Sequence, residues 1–93
     1  MVETYLKTQE GNGWCVYLLE CKDGTYYCGI TTDLQRRVQQ HNAGTASKYT
    51  RSRLPVKVKA MKGWYTKSEA LKLEIKVKSC RREQKLSTLE AAK

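Results

Sequence analysis

A turn between two short apolar segments constrains the fold of this chain more than any other feature of its sequence. Residues 14–21 and 25–30 are rich in aromatic and branched side chains, and they flank a Lys-Asp-Gly sequence at residues 22–24. This composition predicts a β-hairpin. Because side chains alternate between the two faces of a strand, a slip of one residue in the pairing inverts every side chain. The geometry of the turn therefore decides which side chains share a face.

Two turn geometries compete, and they place the tyrosines of the hairpin differently. A two-residue turn would leave Tyr17 and Tyr27 on opposite faces of the sheet. A three-residue turn with Gly24 in the left-handed conformation would pair Tyr17 with Gly29 and put both tyrosines on one face, beside the bare backbone of that glycine. We favour this second geometry because the other face then becomes mostly apolar. Its members are Val16, Leu18, Tyr26, Cys28 and Ile30. The hairpin thus predicts a core on one face and a site on the other.

The segment after the hairpin carries the signals of a helix over residues 33–43. Thr32 can cap its first turn, and Gln35 completes a Thr-x-x-Gln capping box. Gly44 stands where a helix ends, since glycine readily adopts the left-handed conformation found at such ends. These signals place both ends of the predicted helix.

One stripe of the predicted helix combines apolar and chemically active side chains. Helical spacing puts Leu34, Arg37, Val38 and His41 on the side that should pack inward. By residue type alone, an arginine that extends to solvent and a histidine with satisfied hydrogen bonds would be the common arrangement. Two tyrosines directed at the same place favour a different interpretation. We therefore treat the tyrosines, the arginine and the histidine as one candidate site.

Three further elements are predicted downstream. Residues 56–64 follow Pro55, alternate between apolar and lysine side chains, and predict a third strand that pairs with the hairpin. Thr66 and Glu69 form a second capping box, which opens a helix. Residues 79–93 predict a basic C-terminal helix. The predicted fold class is α/β, an α+β sandwich in which a three-stranded, largely antiparallel sheet is flanked by about three helices.

Composition bounds the domain and its partners. The chain has 93 residues, of which 18 are Lys or Arg and 9 are Asp or Glu, so its formal charge is +9. This length fits one domain, which we assign to residues 13–93, with residues 1–12 as a flexible leader. So positive a protein most often binds nucleic acid, although an anionic membrane or a ribosome would also attract it. Because the sequence has neither an apolar run of about 18 residues nor a signal peptide, we expect a cytoplasmic protein without a membrane partner.

The four cysteines do not have the spacing of a disulfide framework or a zinc site. No Cys-x-x-Cys occurs, and His41 is the single histidine. We interpret Cys15, Cys21 and Cys28 as small strand residues and Cys80 as partly exposed. A cysteine nucleophile with His41 as its base is an enzymatic alternative, but no feature singles out one thiol.

Residues 44–53 are dense in cations and hydroxyl groups and contain one aromatic side chain. We interpret them as a loop in which Lys48, Arg51 and Arg53 neutralise backbone phosphates of a nucleic acid. Tyr49 would stack on a base or anchor the loop. The alternative is a solvated loop whose charges only confer solubility.

Glu74 borders the apolar stripe of the helix that begins near Thr66, where an unpaired charge would be costly. An ion pair with Lys78, one helical turn later, is the simpler solution. The other is a metal ion, since Mg²⁺ binds hard oxygen donors and uses one or two carboxylates while it keeps several waters. Both interpretations remain open from the residues alone.

Several spaced segments resemble the GIY-YIG nuclease superfamily, which includes the catalytic domains of excision-repair and intron-encoded endonucleases. Its two name-giving tripeptides correspond to residues 15–17 and 27–29, and Arg37 follows the second tripeptide by eight residues. The resemblance is strongest to the small stand-alone bacterial branch and covers residues 14–78. The segments shared with that branch are residues 23–37, 41–44, 48–51 and 68–71. A match of several spaced segments is far more specific than two tripeptides would be.

Some positions depart from the family's pattern. Cys15 and Val16 replace the glycine and isoleucine of the first tripeptide, and Cys28 replaces the central isoleucine of the second. Both tyrosines and Gly29 are retained. The excision-repair branch has a lysine where this chain has Ile30, so the details of its substrate handling do not transfer.

The resemblance implies a single catalytic metal ion. In the family, a glutamate on the later helix holds this ion, which we expect to be Mg²⁺ or Mn²⁺. Glu74 matches that position better than Glu69, whose side chain is occupied by the helix cap.

The resemblance also implies how the site residues divide the work of phosphodiester hydrolysis. Tyr17 or Tyr27 would orient or deprotonate a water molecule, and Arg37 would stabilise the charge that develops on the phosphate. His41 would assist proton transfer or contact the phosphate. Because the ordinary pKa of tyrosine is about 10, Arg37 or the metal-bound water would have to lower the pKa of a tyrosine base.

These inferences predict a metal-dependent endonuclease of DNA processing or repair, with DNA rather than RNA as its partner. The missing accessory DNA-binding domain predicts either poor specificity or a partner protein that supplies targeting. Two other functions stay open. One is a basic nucleic-acid-binding adaptor with little or no hydrolytic activity, and the other is a structural protein in which the tyrosines only pack.

Overall fold

An antiparallel sheet of three strands, with four helices, makes up residues 13–93, which are the residues that the computed structural model describes. The leader predicted over residues 1–12 lies outside the described residues. In chain order the elements are β1 (Trp14–Glu20), β2 (Tyr26–Thr31), α1 (Leu34–Asn42), α2 (Lys48–Arg51), β3 (Lys57–Tyr65), α3 (Lys67–Lys78) and α4 (Arg82–Glu90). The strand order is β2-β1-β3, so the hairpin pairs with the third strand through β1. The predicted fold class is confirmed.

The hairpin has the predicted three-residue turn. Gly24 adopts a φ of 84°, and its N–H donates to the carbonyl of Cys21 at 2.9 Å. The N–H of Cys21 in turn donates to the carbonyl of Thr25 at 2.8 Å. The cross-strand pairs include Tyr17 with Gly29 and Leu19 with Tyr27. Both tyrosines therefore lie on the same face of the sheet.

Each face of the sheet has its own buried cluster. The first cluster contains Val16, Leu18, Cys28, Ala70, Val77 and Leu89, so α3 and α4 cover that face. The second contains Tyr17, Leu19, Cys21 and Val56, with Leu34 and Val38 of α1 packed against it. The prediction that core and site would occupy separate faces is therefore wrong in one respect. The tyrosine face is itself part of a core, because α1 closes over it.

Helix α1 differs from its prediction at the start and agrees with it at the end. Asp33 rather than Thr32 caps the helix, because the Asp33 carboxylate accepts the N–H of Arg36 at 3.1 Å. Gly44 has a φ of 80° and follows the last turn. The N–H groups of Gly44 and Thr45 donate to carbonyls within α1, as in a Schellman motif.

A short helix replaces part of the loop predicted over residues 44–53. The Ser47 hydroxyl caps α2 by accepting the N–H of Tyr49 at 3.1 Å. The segment before β3 is held by Asn42, whose side-chain amide bonds both the N–H and the carbonyl of Val56, at 2.8 and 3.1 Å. Helix α1 and the entry to β3 are thus fixed to each other.

The C-terminal elements follow the sequence signals closely. The capping box of Thr66 and Glu69 opens α3 as predicted. Helix α4 is shorter than the helix predicted over residues 79–93, and Lys85 joins it to α3 by donating to carbonyls at the end of that helix. The cysteines are free, with Cys15, Cys21 and Cys28 buried and Cys80 partly exposed, as predicted. Among residues 13–93, no helix combines the length and apolarity needed to cross a bilayer.

Candidate active site

A buried chain of three hydrogen-bonded side chains lies at the centre of the tyrosine face. The Tyr17 hydroxyl is 3.0 Å from Nε2 of His41, and Nδ1 of His41 is 2.8 Å from the Thr50 hydroxyl. Relative exposures are 2% for Tyr17, 1% for His41 and 0% for Thr50. Strand β1, helix α1 and the short helix α2 each contribute one member. Sequence reasoning selected Tyr17 and His41 but missed Thr50.

The hydrogen bonds of this chain favour one tautomer of His41. The Thr50 hydroxyl donates to the carbonyl of Ser47 at 3.4 Å, so its oxygen is available to accept the Nδ1–H of His41. Nε2 then carries the lone pair and accepts the hydroxyl proton of Tyr17. In this arrangement His41 is neutral and both of its ring nitrogens have partners.

The electrostatics of the site keep both Tyr17 and His41 uncharged. Burial lowers the pKa of His41 below 6.5, and the positive charge of Arg37 lowers it further. Burial raises the pKa of Tyr17 above its ordinary value of 10.0, Tyr27 adds to this increase, and Arg37 opposes it. Arg37 does lower the pKa of Tyr17, as a tyrosine base would require, but desolvation outweighs the nearby charge and the net shift is upward. A neutral imidazole facing a protonated phenol can accept the phenol's proton, which is how Tyr17 could act without being a phenolate beforehand.

Tyr27 lies beside this chain and is half-buried. Its ring centre is 5.1 Å from that of His41 in an edge contact, 6.5 Å from that of Tyr17 and 5.9 Å from that of Tyr49. The Tyr27 hydroxyl makes no hydrogen bond with another residue of the described chain, so it is available to a water molecule or a substrate.

Gly29 leaves the space that the Tyr17 ring occupies. A Cβ atom at this position would lie 2.6 Å from Cζ of Tyr17 and would also collide with its hydroxyl oxygen. A side chain at position 29 would thus displace the phenol from His41. The glycine is required here for close approach and not for a special backbone angle.

Arg37 is half-buried at the edge of the site, where it lines a polar cleft of about 160 Å³. The other lining residues are Thr31, Thr32, Asp33, Arg36 and Gln40. Because the charge of Arg37 acts on both Tyr17 and His41, this cleft adjoins the buried chain. Two guanidinium groups in a polar cleft are suited to an anion such as a phosphate.

The predicted nucleic-acid contacts around α2 fall into two groups. Lys48 and Arg51 are exposed and form no ion pair within residues 13–93. Arg53 is engaged, because it pairs with the Asp23 carboxylate at 3.0 Å and lies 4.0 Å from the ring centre of Tyr49. It also donates to the carbonyl of Tyr49 at 2.8 Å. Arg53 and Tyr49 therefore anchor this segment to the hairpin and to Tyr27.

Glu74 lies on α3, and its ion-pair partner Lys78 approaches Tyr27. The Glu74 side chain is 17% exposed, and its carboxylate is 3.3 Å from Nζ of Lys78. That nitrogen is 5.7 Å from the ring centre of Tyr27. Helix α3 packs on the opposite face of the sheet, so this connection runs around the edge strand β2. Glu69 is bound to the N–H of Thr66 in the capping box, as the sequence predicted.

The side chains near the site do not form a closed metal cage, and the donor available to a divalent ion is the single carboxylate of Glu74. No group of three or more His, Cys, Asp or Glu side chains able to share a metal ion occurs among the described residues. Mg²⁺ commonly binds through one or two carboxylates, with waters and substrate phosphate as its other ligands. A partly buried Glu74 carboxylate whose present counterion is a single ammonium group is compatible with that mode of binding.

Comparison with known proteins gives a consistent result. The model of the family described as the GIY-YIG catalytic domain matches residues 13–87. A UPF0213 protein of Halobacterium salinarum is 53% identical over 70 residues, which cover 75% of this chain and 91% of that protein. A UPF0213 protein of Streptococcus pneumoniae is 50% identical over 70 residues, which cover 75% of this chain and 71% of that protein.

Two solved structures have the same fold. The solution NMR structure of a UPF0213 protein from Bacillus halodurans has a TM-score of 0.52 and 42% identity, with 83% of this chain and 82% of that chain covered. The solution NMR structure of a protein from E. faecalis has a TM-score of 0.60 and 37% identity, with 90% and 88% covered. GIY-YIG domains are nuclease domains that act on nucleic acid and generally use a divalent metal ion. This chain belongs to the GIY-YIG family, within its branch of small single-domain UPF0213 proteins.

Proposed function

We propose that this protein is an endonuclease that hydrolyses phosphodiester bonds of DNA with the help of Mg²⁺ or Mn²⁺. The observation that carries this proposal is the buried chain of Tyr17, His41 and Thr50, with Arg37 beside it. Proton removal from water and stabilisation of phosphate charge are the two tasks that such a reaction requires of side chains. Family membership supports the same reaction class.

The Tyr17–His41 pair accepts the proton of the attacking water. As the water oxygen bonds to phosphorus, its proton passes to the Tyr17 oxygen while the Tyr17 proton moves to Nε2 of His41. Thr50 accepts the Nδ1–H throughout, so the resulting imidazolium keeps a partner on its far side. A bound phosphate near Arg37 offsets the charge that otherwise lowers the pKa of His41. Substrate binding thereby makes His41 a better base.

Arg37 receives the phosphate whose bond is cleaved. A guanidinium group can donate two parallel hydrogen bonds to phosphate oxygens and stabilises the negative charge that grows there. The half-exposed hydroxyl of Tyr27 orients the water. The bond from phosphorus to the 3′ oxygen breaks as the water attacks, and the leaving oxygen takes a proton from solvent.

Glu74 is the residue that would hold the divalent ion. A bound ion would supply positive charge that stabilises the phosphate and the leaving oxygen. A single carboxylate on the chain suits an ion whose remaining ligands come from water and substrate.

The charge distribution supports a nucleic-acid substrate. The chain carries a formal charge of +9, and Lys48 and Arg51 are exposed near the aromatic cluster, where they would contact backbone phosphates. The preference for DNA and the assignment to DNA processing or repair rest on the resemblance to the GIY-YIG nuclease superfamily, and the cytoplasm is the proposed location. A targeting protein that directs the domain to its substrate is part of the same proposal.

A cleavage panel tests this proposal. Purified protein is incubated with labelled single-stranded DNA, branched DNA, damaged duplex and RNA, each with Mg²⁺, with Mn²⁺ or with EDTA. An Arg37→Gln variant purified in parallel controls for contaminating nuclease. We expect cleavage of at least one DNA structure that requires metal and is absent from the control. Binding without cleavage in every condition would instead identify a nucleic-acid-binding adaptor.

A further inference from the structure

Lys78 links Glu74 to Tyr27. Its ammonium group is 3.3 Å from the Glu74 carboxylate and 5.7 Å from the ring centre of Tyr27. Its side chain is 50% exposed, whereas that of Glu74 is 17% exposed. The lysine can therefore swing into solvent more easily than the glutamate can.

The surroundings of Glu74 require one positive partner and leave no obvious substitute for Lys78. A carboxylate with little access to water is costly unless a cation stands beside it. The ammonium group of Lys85 is hydrogen-bonded to other groups, because it donates to the carbonyls of Val77 and Lys78 at the end of α3. Arg82 lies over the ring of Tyr26 and donates to the carbonyl of Gly24.

We propose that Lys78 is a positioning residue. Its ammonium group is the counterion of the Glu74 carboxylate in the absence of metal, and the divalent ion displaces it from that carboxylate. This inference rests on the proposed role of Glu74 as the metal ligand. A divalent ion and an ammonium group at the same carboxylate would repel each other, so the ion binds only as the lysine withdraws. In the metal-free protein, the Lys78 ammonium group stands 3.3 Å from the Glu74 carboxylate. The cost of displacing it sets the affinity for metal.

Binding of Mn²⁺ alone tests this inference without any measurement of cleavage. The ¹⁵N-labelled protein is titrated with Mn²⁺, and the paramagnetic broadening of amide signals along α3 reports both the site and the dissociation constant. Lys78→Met removes the competing charge and should bind Mn²⁺ roughly two- to fivefold more tightly, by analogy with the modest strength of partly exposed ion pairs. Lys76→Met is the matched control, because Lys76 is exposed on the same helix and forms no ion pair in the described chain.

The outcomes separate this inference from the proposed function. If Lys78→Met changes the dissociation constant no more than Lys76→Met, or weakens binding, the divalent ion does not displace Lys78. Lys78→Gln provides a second variant should the methionine variant unfold. If Glu74→Gln leaves the broadening around position 74 intact, Glu74 is not the ligand and the metal-binding part of the proposed function fails. Loss of broadening in Glu74→Gln, with tighter binding in Lys78→Met, supports both.

Discussion

The hydrogen bond to Thr50 favours the tautomer of His41 that carries its proton on Nδ1. Replacing Thr50 therefore tests whether this tautomer matters for cleavage. In Thr50→Val the buried Nδ1–H loses its acceptor, which costs about 1–3 kcal/mol. The other tautomer then becomes available, and its Nε2–H cannot accept the Tyr17 proton. We expect cleavage to fall by about 10²-fold, the lower range of a general-base contribution.

Thr50→Ser is the matched control for this prediction, because it keeps the hydroxyl group. It should retain most of the activity, and the ¹⁵N shifts of the imidazole should report the wild-type tautomer. A valine variant that cleaves as fast as the serine variant would show that the Thr50 hydrogen bond has no role in positioning His41.

His41 makes both cleavage and stability decline toward acid pH. As a base it acts only when neutral, and because its pKa lies below 6.5, the acid limb of kcat/KM should also lie below that value. For stability, the unfolded chain binds a proton below about pH 6.5, whereas folded His41 resists protonation. The stabilisation is therefore present above about pH 6.5 and is lost as the pH falls through the folded pKa.

Two measurements check the titration of His41. A pH–rate profile locates the acid limb, and denaturant unfolding between about pH 5 and pH 7 measures the stability. His41→Asn should remove most of the pH dependence of stability in that range. An acid limb well above pH 6.5 would contradict the assignment of a neutral, buried His41 as the base.

The sequence predicted the convergence of four side chains because strands and helices have fixed periods. Tyr17 and Tyr27 share a face once the turn is known, and the spacing of Arg37 and His41 directs both inward from α1. Thr50 was missed because its contact depends on α2, a helix of four residues that is too short to show periodicity.

The approach of Lys78 to the Tyr27 ring could not be predicted from the sequence. Its ion pair with Glu74 is readable as a spacing of four residues, but its approach to Tyr27 depends on where α3 lies along the edge strand β2. The roles of the site residues in catalysis stay predictions until they are measured.

The hairpin should be sensitive to substitution at Gly29 and less so at Gly24. Gly29→Ala places a methyl group on the Tyr17 ring, and overpacking of this kind costs about 1–3 kcal/mol. Gly24→Ala meets no atom within 4 Å, so it should lose only the roughly 1 kcal/mol associated with its positive φ. Thermal and denaturant unfolding measure both losses.

The two glycine variants also differ in their expected effect on cleavage. Under conditions where both are fully folded, Gly29→Ala should still cleave poorly because Tyr17 is displaced from His41. Gly24→Ala should cleave at nearly the wild-type rate. Equal activity in the two variants would mean that the packing of Tyr17 against β2 does not matter to the reaction.

The segment around α2 should divide into residues that bind nucleic acid and a residue that holds the segment in place. A variant with both Lys48→Ala and Arg51→Ala should weaken binding and reduce the slope of log affinity against log salt, by about 0.9 for each lost contact with duplex DNA. Arg53→Ala should instead lower the free energy of unfolding by about 1 kcal/mol, since it loses Asp23 and the Tyr49 ring. An unchanged salt slope in the double variant would mean that α2 is only a solvated surface.

Element boundaries were predictable where capping chemistry is unambiguous. The box formed by Thr66 and Glu69 opens α3 as expected. The start of α1 was misplaced because Thr32 and Asp33 are both good caps, and only the structure shows that the carboxylate reaches the N–H of Arg36. Asn42 was not singled out, because its bonds to Val56 join residues that are distant in sequence.

The molecule as a whole divides its chemistry between the two faces of one small sheet. The residues proposed to transfer the proton lie under α1, and Glu74 belongs to the helix layer on the other side. Lys78, which pairs with Glu74 and approaches Tyr27, links the two faces around β2, the edge strand of the sheet. The fold class followed from the sequence. The link between the two faces did not, because it depends on which strand is at the edge of the sheet and on how α3 packs against that strand.

The most direct test of the proposed function is single-turnover cleavage by Tyr17→Phe, with Mg²⁺ and the preferred DNA structure. The variant keeps the ring that packs over Gly29 and removes only the hydroxyl that bonds His41. Melting temperature and DNA affinity, measured on the same preparations, show whether the fold and the binding surface survive. We predict that both stay near their wild-type values while the cleavage rate falls by about 10²-fold or more. Cleavage by Tyr17→Phe at the wild-type rate would contradict the account, because the tyrosine would then serve only in packing.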